Sequence, residues 1–326
     1  MVKSNAIVTF SLFLLLLLTL SLTSFQPAKA QYQGHITINA DGNIEPYIET
    51  IRQSGNVYIL TANIAGSIIL DRNNTVFDGA GYSVQGISGI NYNYANITVM
   101  NAVVNEGGLD IRGTNILISN NTIIGGGIRC GYGSMVSANR VVNSNLTYGI
   151  AIGSKCTVID NYIVGSKGAA ILISMSSDNV IVRNQIERNT IGIDTLNIVS
   201  QGGAHDNIVY YNNFVSNSES VRNGALNILP VPEVGIWDNG TTGNYWSDYN
   251  GTDANGDGIG DTPYIIDANN IDRYPLMSQA DTIVPTPTTT PTSTVPEFSW
   301  LMILPICLSL LSIVVLIKKR KVRDSL

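Results

Sequence analysis

The chain has 326 residues, of which 44% are hydrophobic and 31 are glycine. This composition is typical of a folded, sheet-rich protein and excludes a largely disordered chain. The formal net charge is −6, and residues 31–317 carry 11 basic against 23 acidic side chains. An acidic surface disfavours nucleic acids and other anionic polymers, so we expect no nucleic-acid partner.

Residues 1–30 have the pattern of a signal peptide. Lys3 supplies the positive start, Ile7 to Leu22 form the apolar core, and Ala28-Lys29-Ala30 has the form of a cleavage site. An uncleaved N-terminal anchor is the alternative. Both interpretations predict an exported chain.

Residues 31–73 lack the repeat that follows. We interpret them as a cap, because the open end of a coil exposes apolar side chains and unpaired backbone. Ile44 to Ile51 has the length of a short capping helix, with Glu45-Pro46 near its start.

Residues 74–230 contain a repeated phrase of apolar or β-branched residues, an Asn, and another apolar residue two places on. The gaps between these Asn residues are 20, 18, 22, 23 and 28 positions, and a period near 22 is typical of solenoid coils. Each coil offers two or three short runs rich in Val, Ile and Thr, which favours strands. The sequence therefore predicts an all-β fold, a parallel β-helix. The repeated residues are Asn101, Asn121, Asn139, Asn161, Asn184 and Asn212.

The repeated Asn has two uses in such a coil. It tolerates the left-handed backbone of a tight turn. Its amide can also stack on the equivalent amides above and below as a hydrogen-bonded ladder. We therefore expect these six residues to be structural.

Motifs at both ends of the coils carry a family resemblance. Asp78-Gly79-Ala80-Gly81 opens the coils, and residues 231–278 contain the phrases GNYWSDY from Gly243, DANGDGIGDTPY from Asp253 and DRYPLM from Asp272. These phrases resemble the right-handed β-helix proteins of the NosD-like and carbohydrate-binding or sugar-hydrolase type. The resemblance covers residues 31–278 and implies a right-handed β-helix in which residues 231–278 form the C-terminal cap. It implies little about function, because one fold hosts several roles.

The cap contains a candidate calcium loop. Side-chain oxygens of Asp253, Asn255, Asp257 and Asp261, with the carbonyl of Ile259, have the spacing of hard ligands for Ca²⁺. Position twelve is Tyr264 where an EF-hand has Glu, so the resemblance is to a dockerin or thrombospondin loop. An Asp/Gly-rich turn without an ion is the alternative. We expect any bound Ca²⁺ to stabilise the cap.

The coils supply no clear catalytic set. Glycoside hydrolysis needs two facing carboxylates, but each coil offers about one and no Asp-Asp pair appears. We therefore assign no catalytic residue and leave enzymatic activity open. The candidates considered are Asp110, Asp160, Asp178, Asp194 and Asp206, with Arg129 and Arg183 as basic partners.

The NosD-like resemblance also raises copper, since that family is tied to the maturation of a copper enzyme. Copper needs clustered soft or imidazole ligands, and two His and six scattered Met do not supply them. We expect no copper.

Two kinds of modification are open in an exported chain. A disulfide between Cys130 and Cys156 is possible, but they occupy different positions in their coils, which favours two buried thiols. Six sequons could accept glycans: Asn73, Asn96, Asn120, Asn145, Asn239 and Asn250.

The amino-acid composition changes after Met277. Residues 279–298 form a Thr/Pro-rich stalk, residues 299–317 an apolar span long enough for a membrane, and residues 318–326 a basic cytoplasmic tail. Pro296-Glu297-Phe298 before the span resembles the archaeal PEF-CTERM sorting signal, which implies cleavage by an archaeosortase-like enzyme and lipid attachment. A permanent transmembrane anchor is the alternative.

These features predict a cell-surface β-helix held outside the membrane. The first hypothesis is a non-enzymatic envelope or adhesion protein that binds extracellular glycans or cell-envelope proteins. The second is an extracellular polysaccharide lyase, hydrolase or epimerase acting on the coil face. A spacer without a ligand is the third.

Overall fold

The computed structural model describes residues 34–197, 204–225 and 235–286. The predicted signal peptide, sorting motif, apolar span and basic tail lie outside these residues. All regular elements in the described ranges are strands, so none of them is a helix that could cross a membrane.

The strands are short and follow one another closely. The N-terminal part contains β1 (His35–Ile38), β2 (Ile44–Glu45), β3 (Ile51–Ser54), β4 (Val57–Leu60), β5 (Ser67–Leu70), β6 (Thr75–Asp78) and β7 (Ser83–Gly89). The middle part contains β8 (Ile97–Met100), β9 (Val103–Ile111), β10 (Leu117–Ser119), β11 (Thr122–Ile124), β12 (Ile128–Cys130), β13 (Met135–Ser137), β14 (Arg140–Val142), β15 (Tyr148–Ile152), β16 (Thr157–Ile159), β17 (Tyr162–Val164), β18 (Ala169–Ser174), β19 (Val180–Val182), β20 (Gln185–Glu187), β21 (Ile191–Asn197), β22 (Ile208–Tyr210), β23 (Asn213–Val215) and β24 (Glu219–Ala225). The C-terminal part contains β25 (Tyr245–Trp246), β26 (Tyr264–Ile265) and β27 (Ile271–Asp272).

Each middle coil contributes one strand to each of three parallel stacks. Face A contains β4, β6, β8, β10, β13, β16, β19 and β22; face B contains β11, β14, β17, β20, β23 and β25; face C contains β12, β15, β18, β21 and β24. The long strand β9 joins faces B and C, because Val103 pairs with Thr122 of β11 and Leu109 pairs with Ile128 of β12. The predicted parallel β-solenoid is confirmed.

The core is a stack of aliphatic side chains at equivalent strand positions. In an extended strand alternate side chains point to opposite sides, so the middle residue of each three-residue strand on faces A and B points inward. On face C, β12 turns its first and last residues inward instead. These inward residues are at most 1% exposed: Ile118, Val136, Val158, Ile181 and Val209 on face A; Ile123, Val141, Ile163, Ile186 and Phe214 on face B; Ile128, Ile150, Ile171 and Ile193 on face C.

The corner between faces A and B is two residues long in the middle coils. Its first residue is left-handed in every coil from β8 onward: Asn101, Asn120, Ala138, Asp160, Arg183 and Tyr211 have φ between 53° and 58°. Arg and Tyr do not favour this backbone, so the stacked coils impose it. The second residue of each corner turns its side chain inward.

The predicted helix at residues 44–51 is wrong. β2 pairs antiparallel with β1, and β3 pairs antiparallel with β4. An eight-residue helix is unstable on its own, whereas an extended segment satisfies the open edge of the first coil with backbone hydrogen bonds. Parallel pairing also begins earlier than residue 74, because β1 pairs with β5 and β4 pairs with β6.

The C-terminal end is closed by aromatic side chains. β25 adds to face B beside β23. The Trp246 ring is 1% exposed and lies between Phe214, at a centroid distance of 4.3 Å, and Tyr264, at 4.4 Å. These near-parallel rings cover the last aliphatic layer and fix the hairpin β26–β27 against the solenoid.

Candidate functional site

The Asn ladder lies inside the corner between faces A and B. Asn161 shows the pattern: its Oδ1 accepts from the backbone N–H of Asn139 at 2.9 Å and from Asn139 Nδ2 at 3.0 Å. Its Nδ2 donates to the carbonyls of Val136 and Ile159 at 2.9 and 3.0 Å. The same bonds recur at the other members, all at most 1% exposed: Asn121, Asn139, Asn184 and Asn212. A buried network with its polar groups paired holds successive coils in register.

Asn101 does not belong to this ladder, which corrects the prediction. It is the left-handed first residue of its corner, and its neighbour Ala102 occupies the ladder position, donating its N–H to Asn121 Oδ1 at 2.9 Å. Asn101 instead accepts from Asn120 Nδ2 and donates to Asp78. These bonds belong to an outer row, a line of hydrogen-bonded side chains on the outside of the same corner. The local phrase misleads because the inward residue of that coil is Val104, one place later than the pattern requires.

The ladder continues beyond the predicted members and ends on a carboxylate. Asn212 donates its N–H to Asn244 Oδ1 at 3.1 Å, and Asn244 donates its N–H to Asp272 Oδ2 at 2.7 Å. Asp272 is fully buried and also accepts from Trp246 Nε1 and the Tyr274 N–H. Burial raises the pKa of Asp272 to about 6. Asn244 was missed, although Trp246 two places on repeats the phrase.

The candidate calcium loop uses its oxygens on its own backbone. Asp253 accepts from the N–H groups of Gly256 and Gly258 at 2.7 and 2.8 Å, and Asp261 accepts from Ala254 at 2.9 Å. Asp257 accepts from the Ile259 N–H and from Asn255 Nδ2. No group of three or more His, Cys, Asp or Glu side chains in the described ranges could hold a metal ion. The geometry supports the alternative of an ion-free turn rather than calcium.

Three of the five carboxylates considered for catalysis contact a basic side chain. Asp110 pairs with Arg112 at 2.7 Å, Asp160 with Arg183 at 2.6 Å, and Asp206 lies 2.8 Å from His205. The remaining three residues are separate: Asp178 lies in a left-handed turn, Arg129 stacks over Tyr148, and burial raises the pKa of Asp194. These contacts form no facing carboxylate pair.

A polar groove lies between the start of β24 and the hairpin β26–β27. The cavity has a volume of about 250 Å³. Its polar lining consists of Asn217, Ser218, Glu219, Ser220, Ser247 and Asp248, with Tyr264 at its side. The lining is rich in hydroxyl and carboxylate groups and includes no Lys or Arg.

Tyr264 and Asp248 form the fixed part of this groove. The Tyr264 hydroxyl donates to Asp248, with both carboxylate oxygens 3.1 Å away. Burial and the neighbouring Asp248 charge raise the pKa of Tyr264 to about 12, so the phenol stays protonated at neutral pH. Stacking on Trp246 fixes the ring. Sequence reasoning missed this groove, because its two sides lie more than 25 positions apart in the chain.

The sequons differ in how their amides are used. Asn96 and Asn120 donate Nδ2 to neighbouring Asn side chains, Asn73 accepts from the Ala95 N–H, and Asn239 accepts in its own turn. The side chains of Asn145 and Asn250 are exposed and make no hydrogen bond within the described part of the chain.

Two curated relatives match part of the chain. A stretch of 114 residues is 36% identical to "Probable ABC transporter binding protein NosD" of Stutzerimonas stutzeri, covering 35% of this chain and 23% of that protein. A stretch of 139 residues is 30% identical to the protein of the same name in Pseudomonas aeruginosa, covering 41% and 30%. The chain thus spans between about a quarter and a third of the length of these relatives.

A family profile described as "Periplasmic copper-binding protein (NosD)" matches residues 41–251. Copper needs a cluster of soft or imidazole ligands. In the described ranges Cys130 and Cys156 are both buried, and no third His, Cys, Asp or Glu lies close enough to complete a metal site. The residues that the structure describes therefore do not fit copper.

The matched residues include every coil between β4 and β24 and more than half of the chain. The chain belongs to the NosD family.

Proposed function

We propose that this chain is an exported, non-enzymatic binding protein that presents its cap groove to a neutral or cationic polyhydroxylated ligand, such as a glycan. The observation that carries the proposal is the composition of the groove: hydroxyl and carboxylate acceptors beside an immobilised tyrosine, without Lys or Arg in the lining. Sugar hydroxyls donate to such acceptors, and their apolar C–H faces pack on aromatic rings.

Charge narrows the ligand class. Asp248 and Glu219 both contribute carboxylates to the lining, and Arg222 is already held by Glu219 through Nε and an Nη at 2.8 and 2.6 Å. An anionic polymer would place like charges together without a free cation to pair them. Neutral sugars and amino sugars are therefore favoured over uronates and phosphates.

Binding rather than turnover is supported by the state of the two groove carboxylates. Asp248 is held by the Tyr264 hydroxyl and Glu219 by Arg222. A hydrolase needs one carboxyl that can give a proton and a second that can act on water or sugar. Because Asp248 and Glu219 already accept hydrogen bonds from Tyr264 and Arg222, we infer that they orient a ligand rather than transfer a proton or attack a sugar.

Export and anchoring complete the proposal. The family description as periplasmic agrees with the predicted signal peptide of residues 1–30. The stalk, the sorting motif and the apolar span of residues 299–317 would hold the β-helix at the outer side of a membrane. A sorting enzyme of the archaeosortase type and cell-envelope proteins would then be its partners.

The test is a glycan array with the full chain, followed by reducing-end and unsaturated-product assays on every hit. We expect binding to neutral or amino-sugar glycans without product formation. Asp248→Asn should weaken binding, while Asp206→Asn, an exposed carboxylate elsewhere, should not. Product formation, or binding that both variants retain, would sink the proposal.

A further inference from the structure

Two buried thiols meet inside the solenoid. Cys130 ends β12 on face C and is 4% exposed, while Cys156 precedes β16 on face A in the next coil and is 1% exposed. The Cys156 thiol donates to the carbonyl of Gly131, the residue after Cys130, at 3.0 Å. Each thiol also has the largest effect on the pKa of the other, which indicates that the two sulfurs are neighbours. Different positions in successive coils therefore converge on one corner, the one between faces C and A.

Cys156 occupies a position where neighbouring coils place better hydrogen-bond acceptors. The Ile116 N–H donates to Ser134 Oγ at 3.2 Å, and the Cys156 N–H donates to Asn179 Oδ1 at 2.8 Å. The Asn179 N–H in turn donates to Asn207 Oδ1 at 3.1 Å. A thiol is a weaker acceptor than a hydroxyl or an amide. These bonds form a second ladder, at the corner between faces C and A, through residues 134, 156, 179 and 207. Its hydrogen bonding gives no reason for a sulfur atom at residue 156.

The surroundings of the two thiols shift their pKa values in opposite directions. The hydrogen bond from Cys130 and the backbone N–H groups of Ser134 and Gly153 lower the pKa of Cys156. The hydrogen bond to Cys156 and burial raise the pKa of Cys130. Cys156 is therefore the first nucleophile and Cys130 the resolving thiol, since the thiolate is the attacking species.

We propose that Cys130 and Cys156 form a disulfide that cross-links the two coils once the chain is exported. The Cys156 thiolate attacks a disulfide of an oxidised dithiol donor in that compartment and releases one donor thiolate. The Cys130 thiolate then attacks the Cys156 sulfur of this mixed disulfide and releases the second donor thiolate. Both chain thiols lose their protons, and the donor gains two electrons. The pKa difference belongs to the assembled corner, and both thiols are buried there, so we expect the exchange during local opening of this corner.

The mass test uses the full chain from a host that exports it, trapped without reductant, alkylated in denaturant and digested with trypsin. Cleavage after Arg129 and Lys155 places the two cysteines in separate peptides, residues 130–140 and 156–167. We expect these peptides joined and lighter by two hydrogens than the sum of the free peptides. Two alkylated cysteines, or a cross-link to Cys307, would overturn the proposal.

The stability test uses Cys156→Ser, which fits the ladder because serine already stands at the equivalent residue 134. Reductant should lower the Tm of the wild-type chain by roughly 5–10 °C and leave the Tm of the variant unchanged. Cys307→Ser, the matched control, should respond to reductant as the wild type does. An equal response of the wild type and Cys156→Ser would contradict a cross-link between these residues.

Discussion

The corner between faces A and B and the loop from Asp253 to Asp261 use the same kinds of side chain in opposite ways. In the corner, Asn161 bonds to partners 22 and 23 positions away, on the coils on either side. In the loop, Asp253 bonds to N–H groups three to five positions away. The corner amides hold the molecule together across coils, whereas the loop carboxylates shape only their own turn.

This difference decides where polar side chains matter for stability. A buried amide that loses its partners leaves several groups unpaired, and each costs about 1–3 kcal/mol. An exposed turn carboxylate can be replaced by water at a smaller cost. The predictions below test this contrast from the largest expected effect to the smallest.

Asn161→Ala should cause the largest loss. It leaves the N–H of Asn139 and the carbonyl of Val136 unpaired in the core, so we expect the free energy of unfolding to fall by about 3–5 kcal/mol. Urea unfolding followed by circular dichroism measures it. Asn145→Ala, at an exposed Asn, should stay within about 0.5 kcal/mol; equal losses in the two variants would show that the ladder contributes no special stability.

Asp272 should make stability depend on pH. Its pKa is about 6 in the folded chain against an ordinary value of 3.8, so the folded chain holds a proton that the unfolded chain has released. Stability should therefore fall as pH rises from about 4 to 6, by up to about 3 kcal/mol from this group. Below that window the penalty is absent, and above it the penalty is complete.

Asp272→Asn isolates this contribution, because the difference in unfolding free energy between wild type and variant removes the other titrating groups. This difference should change between pH 4 and 6 and be flat above pH 7. The variant should be less stable throughout, since its amide nitrogen faces a donor such as the Tyr274 N–H. A difference that is constant with pH would refute the assignment.

Asp253→Ala should have a smaller effect, about 1–2 kcal/mol, because the loop N–H groups that lose their acceptor are exposed or half-buried. Millimolar Ca²⁺ should leave the Tm of the wild-type chain unchanged relative to a chelator, since the same oxygens already accept from the backbone. A calcium-dependent rise in Tm that Asp253→Ala abolishes would restore the calcium site.

Glycan occupancy should follow the freedom of the amide rather than the sequon. In a host that glycosylates exported chains, Asn145 and Asn250 should be modified, because their side chains are exposed and make no hydrogen bond within the described residues. Asn96 and Asn120 should remain largely unmodified, because their Nδ2 groups donate within the outer rows. Glycopeptide mass spectrometry measures the four occupancies, and the reverse order would contradict this account.

The fold could be predicted because each coil repeats one local pattern, so a single phrase counted along the chain reveals the stacking. The register of one coil could not, because Asn101 and the adjacent Ala102 differ only in which residue turns inward. The ladder ends where the Asn244 N–H donates to Asp272, 28 positions away. The repeated phrase does not extend to Asp272, so it could not predict this contact. The groove was hidden for the same reason, since folding alone brings Ser220 near Tyr264.

The most direct test of the proposed binding role is titration calorimetry with the strongest glycan-array hit on three full-length proteins: wild type, Asp248→Asn and Asp206→Asn. Loss of a charged acceptor costs about 1.5–3 kcal/mol, so Asp248→Asn should bind roughly ten-fold to a hundred-fold more weakly. Asp206→Asn should match the wild type. If all three proteins bind with the same Kd, the groove is not the binding site.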